Sequence, residues 1–288
     1  MNTNEKELKK IIEKIYKKQQ KEIKSLYKRL SLFINEEIED KDEDNFNEVD
    51  LNNLKKKIKN ELKKNNKELK SLIKSNIELI VKNTIKRDKE FYISIDKIYN
   101  TNLASKYKVD ESKIIKKIFN QIDTGEIYKD NKTLSERIWG NDKKVLSDVN
   151  KIINQGIKDK KDPLSIAKDL EKYVNPSVKK DFNWNKIYPG TSIRVDYNAQ
   201  RLSRTSLTHA HQLSTADSVR RNPILNHVQY HSAHNTRTCA TCSDRDGMVY
   251  HYSDFPLDHP NGNCYMTSYI PENIDELIMD YIMSDYEE

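Results

Sequence analysis

The sequence predicts a mainly α-helical protein with a small C-terminal α+β module, that is, a long N-terminal helical hairpin and a short antiparallel sheet bearing a Cys/His cluster. Three observations support this prediction. Apolar residues recur at three- and four-residue steps along most of the chain. The period changes to two after Pro223, which is typical of strands. Lysine ends at Lys186, whereas every cysteine and histidine follows Arg204.

The composition suits long solvated helices. Of the 288 residues, 33% are charged and 35% hydrophobic, and only six are glycine. After Lys186, seven arginines oppose thirteen acidic residues, which gives 7 − 13 = −6 and leaves +12 on the residues before. This asymmetry indicates two regions with different roles. No apolar run is long enough to span a membrane and no signal-peptide core opens the sequence, so we expect a chain that folds in a cytoplasm.

Residues 1–130 are predicted to be a basic helical region, shaped as a hairpin or like a coiled coil. Apolar periodicity predicts one helix over residues 5–34 and a second that starts near Leu51. The acidic stretch Glu36–Glu48 between them is predicted to be a loop. The lysines on these helices have two interpretations, a solvated surface or a sequence-independent contact with DNA phosphates.

Residues 131–195 are predicted to be a helical connector. Asp110 marks a helix start before it, and Thr133 with Glu136 forms a capping-box pattern at the next one. That stretch leads to a helix that ends near Gly156. A further helix is predicted between Asp162-Pro163 and Asn175-Pro176, followed by a loop over residues 177–195.

Residues 196–288 are predicted to form the α+β module. A helix from Tyr197 to Arg221 ends before Asn222-Pro223, and its His209 and His211 are expected to be surface or packing residues. Alternating segments then predict three short strands, over His227–Ser232, Met248–Tyr252 and Cys264–Ile270. Asp246-Gly247 is a turn signal before the second strand, and an acidic helix or tail follows Pro271.

Cys239, Cys242, His259 and Cys264 form the candidate metal site. The C-x-x-C spacing lets two thiolates from one tight turn reach the same ion, and the turn from His259 to Cys264 offers two more ligands. A set of three cysteines and one histidine would complete a tetrahedral structural zinc site. The alternative is that the cysteines are reduced and buried without metal. A thioredoxin-like redox role is disfavoured because the motif does not open a helix in a βαβ unit.

His231, His234 and His251 lie near this cluster in sequence and suggest a different class of function. A histidine-rich ββ element could belong to a metal-dependent nuclease, with His231 or His259 acting beside a hydrolytic ion. A nuclease metal needs an open coordination position, whereas three cysteines would close the site. We therefore expect no catalytic residues and keep a metal-dependent nuclease or toxin-like enzyme on the same scaffold as the alternative.

Several motifs resemble the phage head morphogenesis proteins, the minor capsid proteins of the phage Mu F-like type. The matching runs are Ala199–Thr205, Asn235–Cys242, Asp246-Gly247, and His259-Pro260-Asn261 with Cys264. The resemblance is dense over residues 195–270 and looser from residue 130. Three departures stand out: Ser206 replaces a glutamate, Asn235 an aspartate, and Gly262-Asn263 the Cys-Arg of the pattern H-P-x-C-R-C.

The resemblance implies a non-enzymatic minor component of the virion, made in the bacterial host cytoplasm and then housed inside the capsid. It implies association with the portal protein and other capsid proteins, and assistance in assembly, DNA packaging or delivery. The basic N-terminal helices would then lie beside packaged DNA or a portal partner, and a DNA-binding packaging factor is a further alternative. Because Gly262 leaves one thiolate fewer than in the family pattern, the resemblance makes His259 more necessary as a ligand.

Overall fold

The computed structural model describes residues 3–41, 46–178, 188, 191, 195–236 and 238–285. Its elements are α1 (Thr3–Glu39), α2 (Glu48–Tyr99), α3 (Leu103–Lys106), α4 (Glu111–Thr124), α5 (Leu134–Lys158), α6 (Pro163–Val174), α7 (Tyr197–Arg221), β1 (His227–His231), α8 (Ala240–Asp244), β2 (Val249–His251), β3 (Tyr265–Ser268) and α9 (Ile274–Asp285). The predicted class, mainly α with a small C-terminal α+β module, is confirmed.

The contacts divide the chain into two compact units. The first unit takes residues up to Ile15, then Ile73–Asn131, and then the chain from Arg204 onward. The second unit consists of Tyr16–Leu72 and Lys132–Ser203. Neither unit is one continuous stretch of sequence. The two units therefore do not coincide with the lysine-rich and lysine-free regions, which follow one another along the chain.

In the second unit, α1 and α2 form the predicted hairpin. Arg29 bonds Glu68, and Lys57 bonds Glu37. Because the partner number falls as the first number rises, the two helices run antiparallel. Their apolar stripes are buried; the residues least exposed are Ile23, Leu30, Ile34, Leu51, Ile58 and Leu62.

The prediction of a loop over Glu36–Glu48 was wrong at its start, because α1 continues to Glu39. Ile38 extends the apolar stripe by one turn beyond Ile34 and is 3% exposed, so its burial outweighs the acidic residues around it. Residues 42–45 of that stretch lie outside the described part. At the start of α2, the Asn47 side chain accepts the Val49 N–H at 2.8 Å.

Helices α5 and α6 confirm the predicted caps of the connector. Thr133 and Glu136 bond each other reciprocally across the first turn of α5, and Asp162 accepts the Ser165 N–H at 2.8 Å. Helix α5 is continuous from Leu134 and ends two residues beyond Gly156. Apart from residues 177, 178, 188, 191 and 195, the loop predicted over 177–195 lies outside the described residues.

In the first unit, the three strands form an antiparallel sheet in the order β2-β1-β3. Val228 of β1 lies opposite Tyr250 of β2 and Ser268 of β3. Val228 and Tyr230 are fully buried, as the period of two predicts for alternate residues. The predicted turn is confirmed at Gly247, whose φ of 78° favours glycine.

Two apolar clusters support the sheet and the last helix. The sheet cluster joins the end of α7 to the strands; its members are Val219, Leu225, Val228, Tyr230, Cys242, Cys264 and Met266. The second cluster joins the end of α2 to α9; its members are Tyr92, Ile95, Leu103, Ile278 and Ile282. The two candidate ligands Cys242 and Cys264 therefore belong to the core of the sheet.

Candidate metal centre

The candidate ligands lie at the ends of short elements around the sheet. Cys239 is the N-cap residue of α8, and Cys242 lies in that helix. Cys264 directly precedes β3, and His259 lies in the loop between β2 and β3. Because β2 and β3 both pair with β1, the segments that adjoin these strands lie close together, and the candidate ligands converge on one region of the first unit.

The structure brings all four predicted ligands into two overlapping groups. Sγ of Cys239, Sγ of Cys242 and a ring nitrogen of His259 lie within 4.8 Å of one another. In the second group, the Cys242 and Cys264 thiols and a carboxylate oxygen of Asp258 lie within 4.8 Å of one another. Cys242 belongs to both groups, whereas Cys239 belongs only to the first and Cys264 only to the second. These five residues are positioned so that they could hold a metal ion.

Asp258 is the candidate ligand that the sequence did not predict. It is 3% exposed, and its Oδ1 accepts the backbone N–H of His259 at 2.8 Å. Its Oδ2 accepts the N–H of Cys264 at 3.0 Å, and the Tyr230 hydroxyl donates to Oδ1 at 3.3 Å. A buried carboxylate is stabilised when it is paired with a positive charge, so a cation bound between Asp258 and the thiols would be favourable.

Gly262 makes room for this carboxylate. A Cβ added at Gly262 would lie 2.0 Å from Oδ2 of Asp258 and 2.5 Å from Oδ1. Both distances are far shorter than a van der Waals contact, and the carboxylate itself is held by hydrogen bonds. A side chain at position 262 and the observed position of the Asp258 carboxylate therefore exclude each other.

A polar face of α7 holds the backbone of the 258–262 loop. Thr205 accepts the Asn261 N–H at 2.8 Å, and Thr208 donates to the Gly262 carbonyl at 3.2 Å. One turn further, His209 Nε2 bonds the Asp258 carbonyl at 2.9 Å, and Gln212 Oε1 accepts the Asp258 N–H at 3.0 Å. The spacing i, i+3, i+4, i+7 places these four side chains on one helical face. His209 is thus a buried packing residue, one of the two roles expected for it.

Burial and neighbouring groups shift the pKa values of two of the cysteines and of His259. Burial raises the pKa of Cys242 to about 12. In contrast, the Cys242 N–H at the start of α8 lowers the pKa of Cys239. Partial burial lowers the pKa of His259, but the Pro260 carbonyl and the neighbouring acidic groups outweigh it, so that this pKa is raised.

The other histidines near the cluster in sequence have different partners. His231 stacks on Tyr265, and its Nε2 bonds Thr267 Oγ1 at 2.9 Å. His234 pairs with Asp246 at 3.2 Å, and His251 Nδ1 bonds Ser253 Oγ at 2.7 Å. Among the described residues, His259 is the one histidine that the two ligand groups contain.

The chain matches no family model, and neither a curated protein nor a solved structure is significantly similar to it. Within the described residues, every helix is too short or too polar to cross a lipid bilayer.

Proposed function

We propose that this chain is a minor, non-enzymatic structural component of a tailed-phage head, associated with the portal and held together at its C-terminal end by one structural zinc ion. The motifs over residues 195–270 support the virion role by resemblance. The observation that supports the zinc site is the convergence of three buried donors, Cys242, Asp258 and Cys264, within 4.8 Å.

The donor set favours zinc over other common metals. Thiolate ligands select zinc, copper(I) and iron–sulfur clusters, whereas magnesium and calcium take oxygen ligands. Three thiolates and one further donor complete a tetrahedral zinc site and leave no position open for a reacting water, as in structural rather than catalytic sites. The small sheet gains folding free energy from such an ion.

Elemental analysis of the purified full-length protein tests the zinc site. We expect one zinc per chain, which Cys242→Ser loses. We also expect amide hydrogen exchange to accelerate in β1–β3 and α8 of that variant, while α5 and α6 keep their protection, since they belong to the other unit. Ser243→Ala is the matched control in α8 and should keep the metal. Absence of stoichiometric metal from the unaltered protein would refute the zinc site.

Affinity capture tests the virion role separately. The tagged chain, co-expressed with the portal and scaffold proteins of a candidate phage, should retain the portal protein on the affinity resin. Retention of neither protein would contradict the proposed association, whatever the metal content.

We propose contact with DNA as a second function, and a pattern of unpaired lysines in the second unit supports it. On α1, Lys17, Lys21, Lys24 and Lys28 are exposed, and none has an ion-pair partner in the described part of the chain. Steps of four, three and four residues place them on one face over about 16 Å. A regular row of like charges suits the phosphates of a nucleic acid backbone.

A second set of lysines in the same hairpin supplies the control. Lys18, Lys41, Lys57 and Lys64 are exposed too, but each pairs with a carboxylate: Glu22, Asp50, Glu37 and Glu61 respectively. A lysine already neutralised by a carboxylate contributes less to binding a polyanion. The two sets carry the same charge and differ mainly in pairing.

The test is duplex DNA binding as a function of salt concentration. The logarithm of the binding constant falls linearly with the logarithm of the salt concentration. Replacing the four unpaired lysines by glutamine should make this slope less steep, by up to about 4. Replacing the four paired lysines should lower the slope by less than half as much. Equal effects of the two variants, or binding to anionic vesicles but not to DNA, would contradict the proposal.

A further inference from the structure

We infer that Asp258, and not His259, completes the tetrahedral ligand set with Cys239, Cys242 and Cys264. This inference rests on the proposed function only in requiring that the site binds a metal ion. It changes the identity of one ligand from the histidine expected by sequence to a carboxylate, and it explains why position 262 is glycine.

The separation between Asp258 and Cys242 matches that of two ligands on one zinc ion. Cys242 Sγ lies 3.6 Å from Asp258 Oδ1. With a Zn–O distance of about 2.0 Å and a Zn–S distance of about 2.3 Å, tetrahedral geometry places the two ligand atoms about 3.5 Å apart. An ion can therefore bind both atoms with little movement of either side chain.

The backbone around Asp258 fixes its carboxylate in this position. The N–H groups of His259 and Cys264 donate to different carboxylate oxygens, at 2.8 Å and 3.0 Å. Tyr230 adds a third hydrogen bond from the core of the sheet. Carboxylates that bind metals are commonly oriented by such outer hydrogen bonds.

His259 is more exposed to solvent than Asp258, although its Nε2 lies 3.9 Å from Asp258 Oδ1. Its side chain is 49% exposed, and Nδ1 lies 3.2 Å from the Pro260 carbonyl. The ligand group of His259 contains the exposed Cys239, which must move to join Asp258 and Cys264, whereas Asp258 already lies beside two buried thiols. Ordering a half-exposed imidazole costs conformational entropy that the buried carboxylate has already lost on folding.

Gly262 links the ligand to the sequence. Because a Cβ there would overlap the Asp258 carboxylate, the carboxylate fills the space that a side chain at 262 would need. At the position where the phage head morphogenesis pattern has a cysteine, this chain has Gly262, and the carboxylate of Asp258 occupies the space of the missing side chain. The backbone of Gly262 is outside the positive-φ region, so a cysteine is compatible with its conformation once Asp258 is removed.

Cobalt(II) titration of the full-length protein followed by visible spectroscopy tests the inference. Sulfur-to-cobalt charge transfer reports the number of bound thiolates, and competition with zinc gives the affinity. Asp258→Ala should weaken zinc binding by about 100-fold or more, and His259→Ala by less than about 3-fold. Asp258→Asn keeps a hydrogen-bond acceptor at this position and should also lose affinity, which separates ligand loss from misfolding.

The double variant Asp258→Ala with Gly262→Cys gives the strongest result. It should regain affinity with four thiolates, so that the charge-transfer intensity exceeds that of the unaltered protein by about one third. Gly262→Cys alone should not, because Asp258 blocks its side chain.

Three results would overturn the inference. If His259→Ala weakens zinc binding more than Asp258→Ala, the histidine is the ligand. If neither single variant changes the affinity, Asp258 only supports the loop. If the double variant gains no thiolate signal, the space at position 262 is not a ligand position. In each case stoichiometric zinc in the unaltered protein would leave the proposed function intact.

Discussion

At the scale of single residues, several carboxylates of this protein are removed from water, among them Asp258 beside the cysteines and Asp142 in α5. Sequence alone identified Cys239, Cys242, His259 and Cys264, because their residue types and spacings are those of metal ligands. It missed Asp258, since one aspartate among many acidic residues has no spacing signal. Its burial follows from contacts with α7, about 50 residues earlier in the chain, which no local pattern encodes.

Asp142 in α5 is a second buried carboxylate, and it gives a prediction about pH. Burial raises the pKa of Asp142 to about 6, although Asn66 donates a hydrogen bond to it at 2.5 Å. Because the folded state resists ionisation, the free energy of unfolding should fall as pH rises from about 4 to 6. The loss amounts to roughly 1–3 kcal/mol.

Asp142→Asn should remove this loss. Denaturant unfolding at pH 4, 5, 6 and 7 should find the variant more stable than the unaltered protein at pH 7, with the difference shrinking towards pH 4. Asp148→Asn is the control for which we expect the opposite effect. Asp148 is also buried, but it accepts hydrogen bonds from Lys144 at 2.6 Å and from Tyr173 at 2.8 Å, which stabilise its charged form. This substitution should destabilise the protein at pH 7. A destabilised Asp142→Asn at pH 7 would contradict the pH argument.

At the scale of elements, α7 is a buried helix built from polar residues. From Thr205 to Val219, Leu213 is the one residue that is not buried. Its small hydroxyl and amide side chains satisfy buried backbone groups of the 258–262 loop, which an apolar helix could not do. The end of the helix at Arg221 could be predicted from Asn222-Pro223. The burial of all faces between Thr205 and Val219 could not, since the polar pattern is also that of an exposed helix.

Helix α5 offers a matched pair of glycines for a prediction about packing. A Cβ at Gly156 would lie 2.6 Å from Ile166 Cγ1 of α6, whereas a Cβ at Gly140 would meet nothing within 4 Å. Gly156→Ala should therefore destabilise the protein by about 1–3 kcal/mol, because α6 must move away. Gly140→Ala should stabilise it by about 0.5–1 kcal/mol through helix propensity.

Thermal or denaturant unfolding of the two single variants measures this difference. Both replace a helical glycine by the same residue, so their intrinsic propensity gains are equal and only the packing differs. Similar stability of the two variants would show that α6 yields to the added methyl group without cost.

At the scale of the whole molecule, local signals predicted the elements well, but not the contacts between distant ones. The caps at Asp110, Thr133 and Asp162 are confirmed because they act within four residues. In contrast, α9 packs Ile278 and Ile282 on the end of α2, a contact across about 180 residues. Periodicity shows that a helical face is apolar but not which other face covers it.

The division into two discontinuous units has a consequence for synthesis on the ribosome. The second unit has all its residues once Ser203 has emerged, so it can fold while the remainder is still being made. The segment Ile73–Asn131 emerges earlier but must wait for the chain beyond Arg204 before its own unit is complete. During that interval the apolar residues Tyr92, Ile95 and Leu103 lack the helix that will cover them. Nascent chains stalled before Ile274 should therefore be the ones that chaperones bind and proteases cleave within this segment.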